Sequence, residues 1–231
     1  MGRSNNLVLS VGVALTLLLL SERLRAQTVI DDFTVNQTAL FIFPCPGAPQ
    51  SSTVAGGLGG ERQLTIECNA AGGPTTASVG AGLLVFGAGL TADSSAVVQW
   101  DGVDGSANLD PIGLGGVDLT VGGQNTLRVR VSTDPNPVTL TVEVYTDGSN
   151  ASSCAVAIPP SSDADFGFGF PGLTPDCTFS AFIGSGATFS NVGAIQLILD
   201  GTAGTTLDAA IDFIRTDAGA VPVELQTFSV Q

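Results

Sequence analysis

The chain has 231 residues, with 7 basic and 21 acidic side chains and no histidine, for a net charge of −14. Arg3, Arg23, Arg25 and Glu22 precede residue 27, so residues 27–231 hold four arginines, no lysine and 20 acids, a charge of −16. Such a surface repels nucleic acid and anionic lipid, and without histidine or lysine the Ser–His–Asp, Ser–Lys and histidine-ligated zinc arrangements are excluded.

The chain opens "MGRSNNLVLSVGVALTLLLLSERLRAQ". Arg3 starts it positively, residues 7–20 are apolar, and "LRAQ" places the small Ala26 before a cleavage point. This is a secretory signal peptide over 1–26, too short in its apolar run to span a bilayer comfortably. No later apolar run is long enough and free of charge, so no membrane span is expected in 27–231. The expected location is extracellular or at the cell surface.

Residues 27–216 suffice for one core, with 217–231 as a tail or edge strand. Thirty glycines, many serines and threonines and few charges indicate short strands joined by turns. In chain order the expected strands are 28–35, 62–68, 76–80, 83–87, 96–100, 127–131, 138–145, 154–158, 165–170, 193–200 and 209–216, ten to thirteen with the tail. "GAIQLILD" (193–200) is apolar on both faces except Gln196, which suits a central strand. In "NTLRVRVSTDPNPVTLTVEVYT" (125–146) the "DPNP" reads as a hairpin loop, pairing Val131 with Leu140 and setting Arg128 opposite Glu143. The tail "VPVELQTFSV" (221–230) shifts its apolar phase and carries Pro222, which suits an edge strand. The fold class is an all-β antiparallel sandwich of jelly-roll type in a single domain.

Four cysteines, Cys45, Cys68, Cys154 and Cys177, remain after the leader. An even count in an exported chain reads as disulfides, and the two sequential pairs have equal separations. The pairing 45–68 and 154–177 is favoured because each bridge would join neighbouring strands or clip a loop. Zinc would want CxxC spacing or histidines, and neither is present.

Two acidic groups are candidate metal sites, with structural Ca²⁺ as the implied cofactor. "VVQWDGVDGSANLD" (97–110) gathers Asp101, Asp104 and Asp110 among glycines, but no frame meets the EF-hand pattern, so a turn is the first expectation and a looser calcium site the second. "VIDDF" and "AIDFI" bring Asp31, Asp32 and Asp212 into reach if the first and last strands are neighbours. Close carboxylates need a cation or protons between them.

The remaining chemistry is sparse. Trp100 and Tyr145 are the candidate ligand-binding rings, since aromatic faces stack on sugars. Phe166, Phe168 and Phe170 alternate with Gly167 and Gly169 and read as packing, with Phe179 and Phe182 nearby. A glycosidase would need a carboxylate pair in an aromatic-lined cleft, and no enzyme is expected.

"VIDDFT", "WDG", "GLGGVDLT" (112–120), "FSNVGAIQLILDG" (189–201) and "AAIDFI" resemble secreted bacterial β-sandwich proteins that often carry an exosortase-recognised (PEP-CTERM) anchor. The same stretches are similar to galactose-binding-like carbohydrate-binding modules. The likeness covers about 31–216, but the end "AVPVELQTFSVQ" lacks the anchor's Pro-Glu-Pro motif, apolar helix and basic cluster. The resemblance implies a non-catalytic protein acting in adhesion or binding at the envelope or in the extracellular matrix. A carbohydrate-binding module, or a structural subunit assembling through exposed edge strands, are the alternatives. The expected partners are a glycan, another extracellular protein, or a second copy of the chain.

Overall fold

The computed structural model describes residues 27–90, 92–172, 175–201 and 206–218. The leader over 1–26 and the tail segment 221–230 lie outside these residues.

Fifteen strands follow in chain order: β1 (Val29–Asp31), β2 (Gln37–Ile42), β3 (Cys45–Val54), β4 (Arg62–Gly72), β5 (Thr75–Gly80), β6 (Leu83–Ala88), β7 (Ser94–Trp100), β8 (Thr126–Thr133), β9 (Val138–Asp147), β10 (Asn150–Ile158), β11 (Asp163–Gly169), β12 (Cys177–Thr178), β13 (Ser180–Ile183), β14 (Ala194–Gly201) and β15 (Leu207–Asp217). They form two sheets. One has eight strands, in the order β12-β11-β8-β15-β6-β5-β2, with β1 also paired to β15. The other has seven, in the order β13-β10-β9-β14-β7-β4-β3. The pairing is antiparallel except between β11 and β12. The protein is thus an antiparallel β-sandwich.

Alternation explains the layering. In β9, Val138, Leu140, Val142 and Val144 are buried, while Thr139, Thr141 and Glu143 stay half-exposed. In β8, Leu127, Val129 and Val131 are buried and alternate with Arg128 and Arg130. With period-two side chains, each sheet turns one apolar face to the other, and one core fills the gap. β14 sits between β9 and β7, the central place its two-sided apolar sequence indicates. β1 pairs with β15, so the first and last strands are neighbours.

The expected 125–146 hairpin is not formed. β8 pairs with β11 and β15 in one sheet, and β9 pairs with β10 and β14 in the other. "DPNP" carries the chain across the sandwich. Two one-faced apolar strands can meet side by side or face to face, and here they face each other through the core. Arg128 therefore pairs with Asp217, and not with Glu143. The sequence expectation also missed β2, β3, β12 and β13, whose glycines, prolines and short lengths hide the alternation.

Both disulfides are those expected from spacing, Cys45–Cys68 and Cys154–Cys177. The first joins β3 to β4 inside the seven-stranded sheet. The second ties β10 of that sheet to β12 of the other, a covalent link between the two layers.

Candidate functional site

The outward face of the seven-stranded sheet carries an uninterrupted polar row. Thr53 of β3 lies opposite Gln63 of β4, and Gln63 opposite Gln99 of β7. Gln99 lies opposite Gln196 of β14, and Gln196 opposite Glu143 of β9. Glu143 lies opposite Ser153 of β10, and Ser153 opposite Ser180 of β13. The neighbours of these residues along the strands, Leu64, Val98, Leu197 and Val142, point into the core, so pleating turns the row outward. At about 4.8 Å between strands the row is roughly 29 Å long.

Its centre is a directed hydrogen-bond chain. Gln99 Nε2 donates to Gln196 Oε1 at 2.8 Å, and Gln196 Nε2 donates to Glu143 Oε2 at 3.4 Å. The Tyr145 hydroxyl donates to the same oxygen at 2.5 Å. Burial, and then the bond to Glu143, hold the Tyr145 phenol well above its ordinary range, so it remains a donor. At the other end Gln63 Nε2 donates to Asp104 Oδ1 at 3.0 Å and to Glu61 Oε1 at 3.3 Å. Gln63 Oε1 is buried with no hydrogen-bond partner. A buried acceptor left unpaired is costly and therefore informative.

The loop after β7 forms a wall beside the row. Gly105 N donates to Glu61 Oε1 at 3.1 Å, next to the Asp104–Gln63 contact. Leu109 and Ile183 pack on the outward cluster of Tyr145, Ala151 and Ala194. Phe182 stands edge-on to Tyr145 with ring centroids 5.9 Å apart, and is 46% exposed rather than packed in the core as the sequence suggested.

The sequence-nominated residues are placed as follows. Trp100 is fully buried and offers no ligand platform; its indole donates to Asp31 Oδ2 at 2.9 Å. Asp31 also accepts two bonds from Arg62, and Asp32 accepts from Thr34. The Thr34 bonds hold the Asp32 carboxyl below its ordinary value. Asp212 lies on the outward face of the eight-stranded sheet, 4.0 Å from Arg130. Asp31 pairs with Ile214 and turns inward, so neighbouring strands do not bring Asp31, Asp32 and Asp212 together.

Asp101, Asp104 and Asp110 organise a turn. Asp101 Oδ2 accepts from Asp110 N, Asp104 Oδ1 from Ser106 N, and Asp110 Oδ1 from Ile112 N. Asp101 Oδ1 is buried with no partner. Burial raises the Asp101 carboxyl above its ordinary value, and the charges of Asp104 and Asp110 push the same way against the Asp110 amide. Among the described residues no three His, Cys, Asp or Glu side chains come together as a metal-holding group.

Of the two ring candidates, only Tyr145 belongs to the outward face. Gln63, Gln99, Gln196 and Glu143 were missed as site residues. Each alternates with buried, mostly apolar neighbours, which signals an outward position, but their alignment depends on the register of separate pairings.

No family model matches the chain, and no curated protein sequence does. Among solved structures the chain is similar to an exo-beta-agarase, with 11% identity and a TM-score of 0.45, over 83% of this chain and 25% of that one. It is also similar to the family 11 carbohydrate-binding module of the cellulosomal cellulase Lic26A-Cel5E of Clostridium thermocellum, with 12% identity and a TM-score of 0.38, over 83% and 94%. A third is TmCBM61 in complex with beta-1,4-galactotriose, with 12% identity and a TM-score of 0.28, over 74% and 88%. The chain spans about a quarter of the length of the agarases it is similar to.

Proposed function

We propose that the protein is a non-catalytic, extracellular glycan-binding module whose ligand lies along the Gln63–Gln99–Gln196–Glu143 row. The observation that carries this is the row itself, three neutral amides on β4, β7 and β14 ending at one carboxylate and a phenol on β9. Amide groups both donate and accept, which matches hydroxyl groups that do the same. Strands spaced about 4.8 Å apart set these groups at intervals comparable with successive rings of an extended sugar chain. Phe182 and Tyr145 add an apolar edge at one end. Gln63 and Gln99 are themselves buried while Gln196 and Glu143 are half-exposed, so the open part of the row is its Gln196–Glu143 half. Two formed disulfides fit an oxidising compartment.

The test is calorimetric titration of residues 27–231 with neutral polysaccharides, in parallel with a Gln99→Ala/Gln196→Ala variant. Binding by the parent chain and its loss in a variant with unchanged circular dichroism support the reading. No binding to any polysaccharide, or binding that the variant retains in full, overturns it.

A further inference from the structure

We propose that the uncharged flank of the sandwich, formed by β2, β3, β5 and β6, is a contact surface for a second copy of the same chain. From Phe33 to Gly60, and again from Cys68 to Ala92, there is no charged residue. The topology brings these two stretches together, since β2 pairs with β5 and β5 with β6 at one end of the eight-stranded sheet, while β3 edges the other sheet.

The outward face here is uncharged and exposes Phe41, Leu83 and Val85. Phe41 lies opposite Thr76, and Thr76 opposite Gly87; Ser78 lies opposite Val85, and Gly80 opposite Leu83. Phe41 is 53% exposed, Phe43 62% and Leu90 59%, and the Phe41 and Phe43 rings are neighbours at 6.4 Å. The charges resume at the next strand, where Asp208 stands opposite Gly87, followed by Asp212, Arg130, Asp163 and Asp165.

Charge selects the occupant. Residues 27–231 carry −16, so two copies repel unless they meet where neither is charged. A basic partner would be drawn to the acidic faces instead. The contact is made by side chains and not by strand addition. Gln50 Oε1 accepts from Phe41 N, Gln37 Nε2 donates to Ser52 O, and Pro46 and Pro49 interrupt β3, so strand addition is hindered at both edges. This departs from assembly through exposed edge strands. Three strands of about six residues give a face of roughly 300 Å², small for a stable complex, so association is weak.

Sedimentation equilibrium of the disulfide-intact chain tests this from roughly 10 μM to 1 mM, at low and high salt. The expected result is a mass that rises with concentration, and rises more at high salt, because screening relieves the residual repulsion. A Phe41→Asp/Phe43→Asp variant is expected to stay monomeric with unchanged melting, while Val121→Asp on another surface associates like the parent. A parent that stays monomeric throughout, association weakened by salt, or association retained by the Phe41→Asp/Phe43→Asp variant would each overturn the proposal.

Discussion

Asp31 and Arg62 share two hydrogen bonds of 3.0 Å while both are buried. Arg62 also donates to Gln37 Oε1 and Val35 O, and Asp31 accepts the Trp100 indole and the Phe33 amide. Every side-chain nitrogen and oxygen of the pair thus has at least one partner. Gly57 completes the enclosure at φ 73°, where a Cβ would lie 2.6 Å from Trp100 Nε1 and 2.7 Å from Asp31 Oδ2.

Breaking the pair from one side is expected to be severe. Asp31→Asn leaves a buried guanidinium without its counter-charge and should cost about 3–5 kcal/mol. Urea unfolding followed by Trp100 fluorescence measures it. The double variant Asp31→Leu/Arg62→Met is expected to recover much of the loss, because replacing both charges removes the desolvation penalty. A single variant within about 0.5 kcal/mol of the parent would show that the ion pair is not what holds β1 in place.

Asp101 sets a pH dependence of defined sign. Its folded carboxyl is raised above the ordinary value, chiefly by burial. The fold therefore favours the protonated form, and this contribution is full below the ordinary carboxylate value and lost as pH rises through the raised one. At neutral pH Asp101→Asn is expected to be more stable than the parent, with the difference vanishing in acid. Melting temperatures of the two proteins across that range provide the check; a gap that widens on acidification would reverse the sign.

The two disulfides close loops of equal sequence separation, 23 residues. If loop closure in the unfolded chain dominates, replacing either pair by serine should cost about 3 kcal/mol, equally for both. Chemical denaturation of the Cys45→Ser/Cys68→Ser and Cys154→Ser/Cys177→Ser variants compares them. A clearly larger loss for the second pair would show that it acts in the folded state, by joining the layers.

On the polar row, Glu143→Gln keeps the shape but removes the charged acceptor shared by Tyr145 and Gln196. Hydrogen bonds to charged groups contribute about 1.5–3 kcal/mol, so if the proposed glycan bonds to Glu143, its affinity should fall at least about tenfold. Titration of the variant against the polysaccharide that binds the parent reads this directly. Equal affinity would place the ligand elsewhere.

Alternation in β8 and β9, and the two-sided apolar run of β14, made the sandwich legible in the sequence, because both patterns need only local information. Equal spacing did the same for the disulfides. Which sheet each strand joins was not legible. β8 and β9 are joined by four residues suited to a hairpin, yet lie in different sheets, a choice set by the whole core. The row on the outward face was hidden for the same reason, since its central residues come from positions 63, 99, 143 and 196 and align only through register. Trp100 was nominated because aromatic faces stack on sugars, whereas its indole is buried against the Asp31 carboxylate.

The pairing of β1 with β15 has a mechanical consequence. Thr28 and Thr216 exchange two hydrogen bonds of 2.8 Å, so the first and last described strands begin and end side by side, with β15 in the middle of the eight-stranded sheet. Pulling the two ends apart would peel β1 away rung by rung, the weakest way to load a sheet. Tension between one end and a ligand held on the opposite sheet is transmitted differently, as shear across the core from one layer to the other. The Cys154–Cys177 bridge is a covalent path for that load between the sheets.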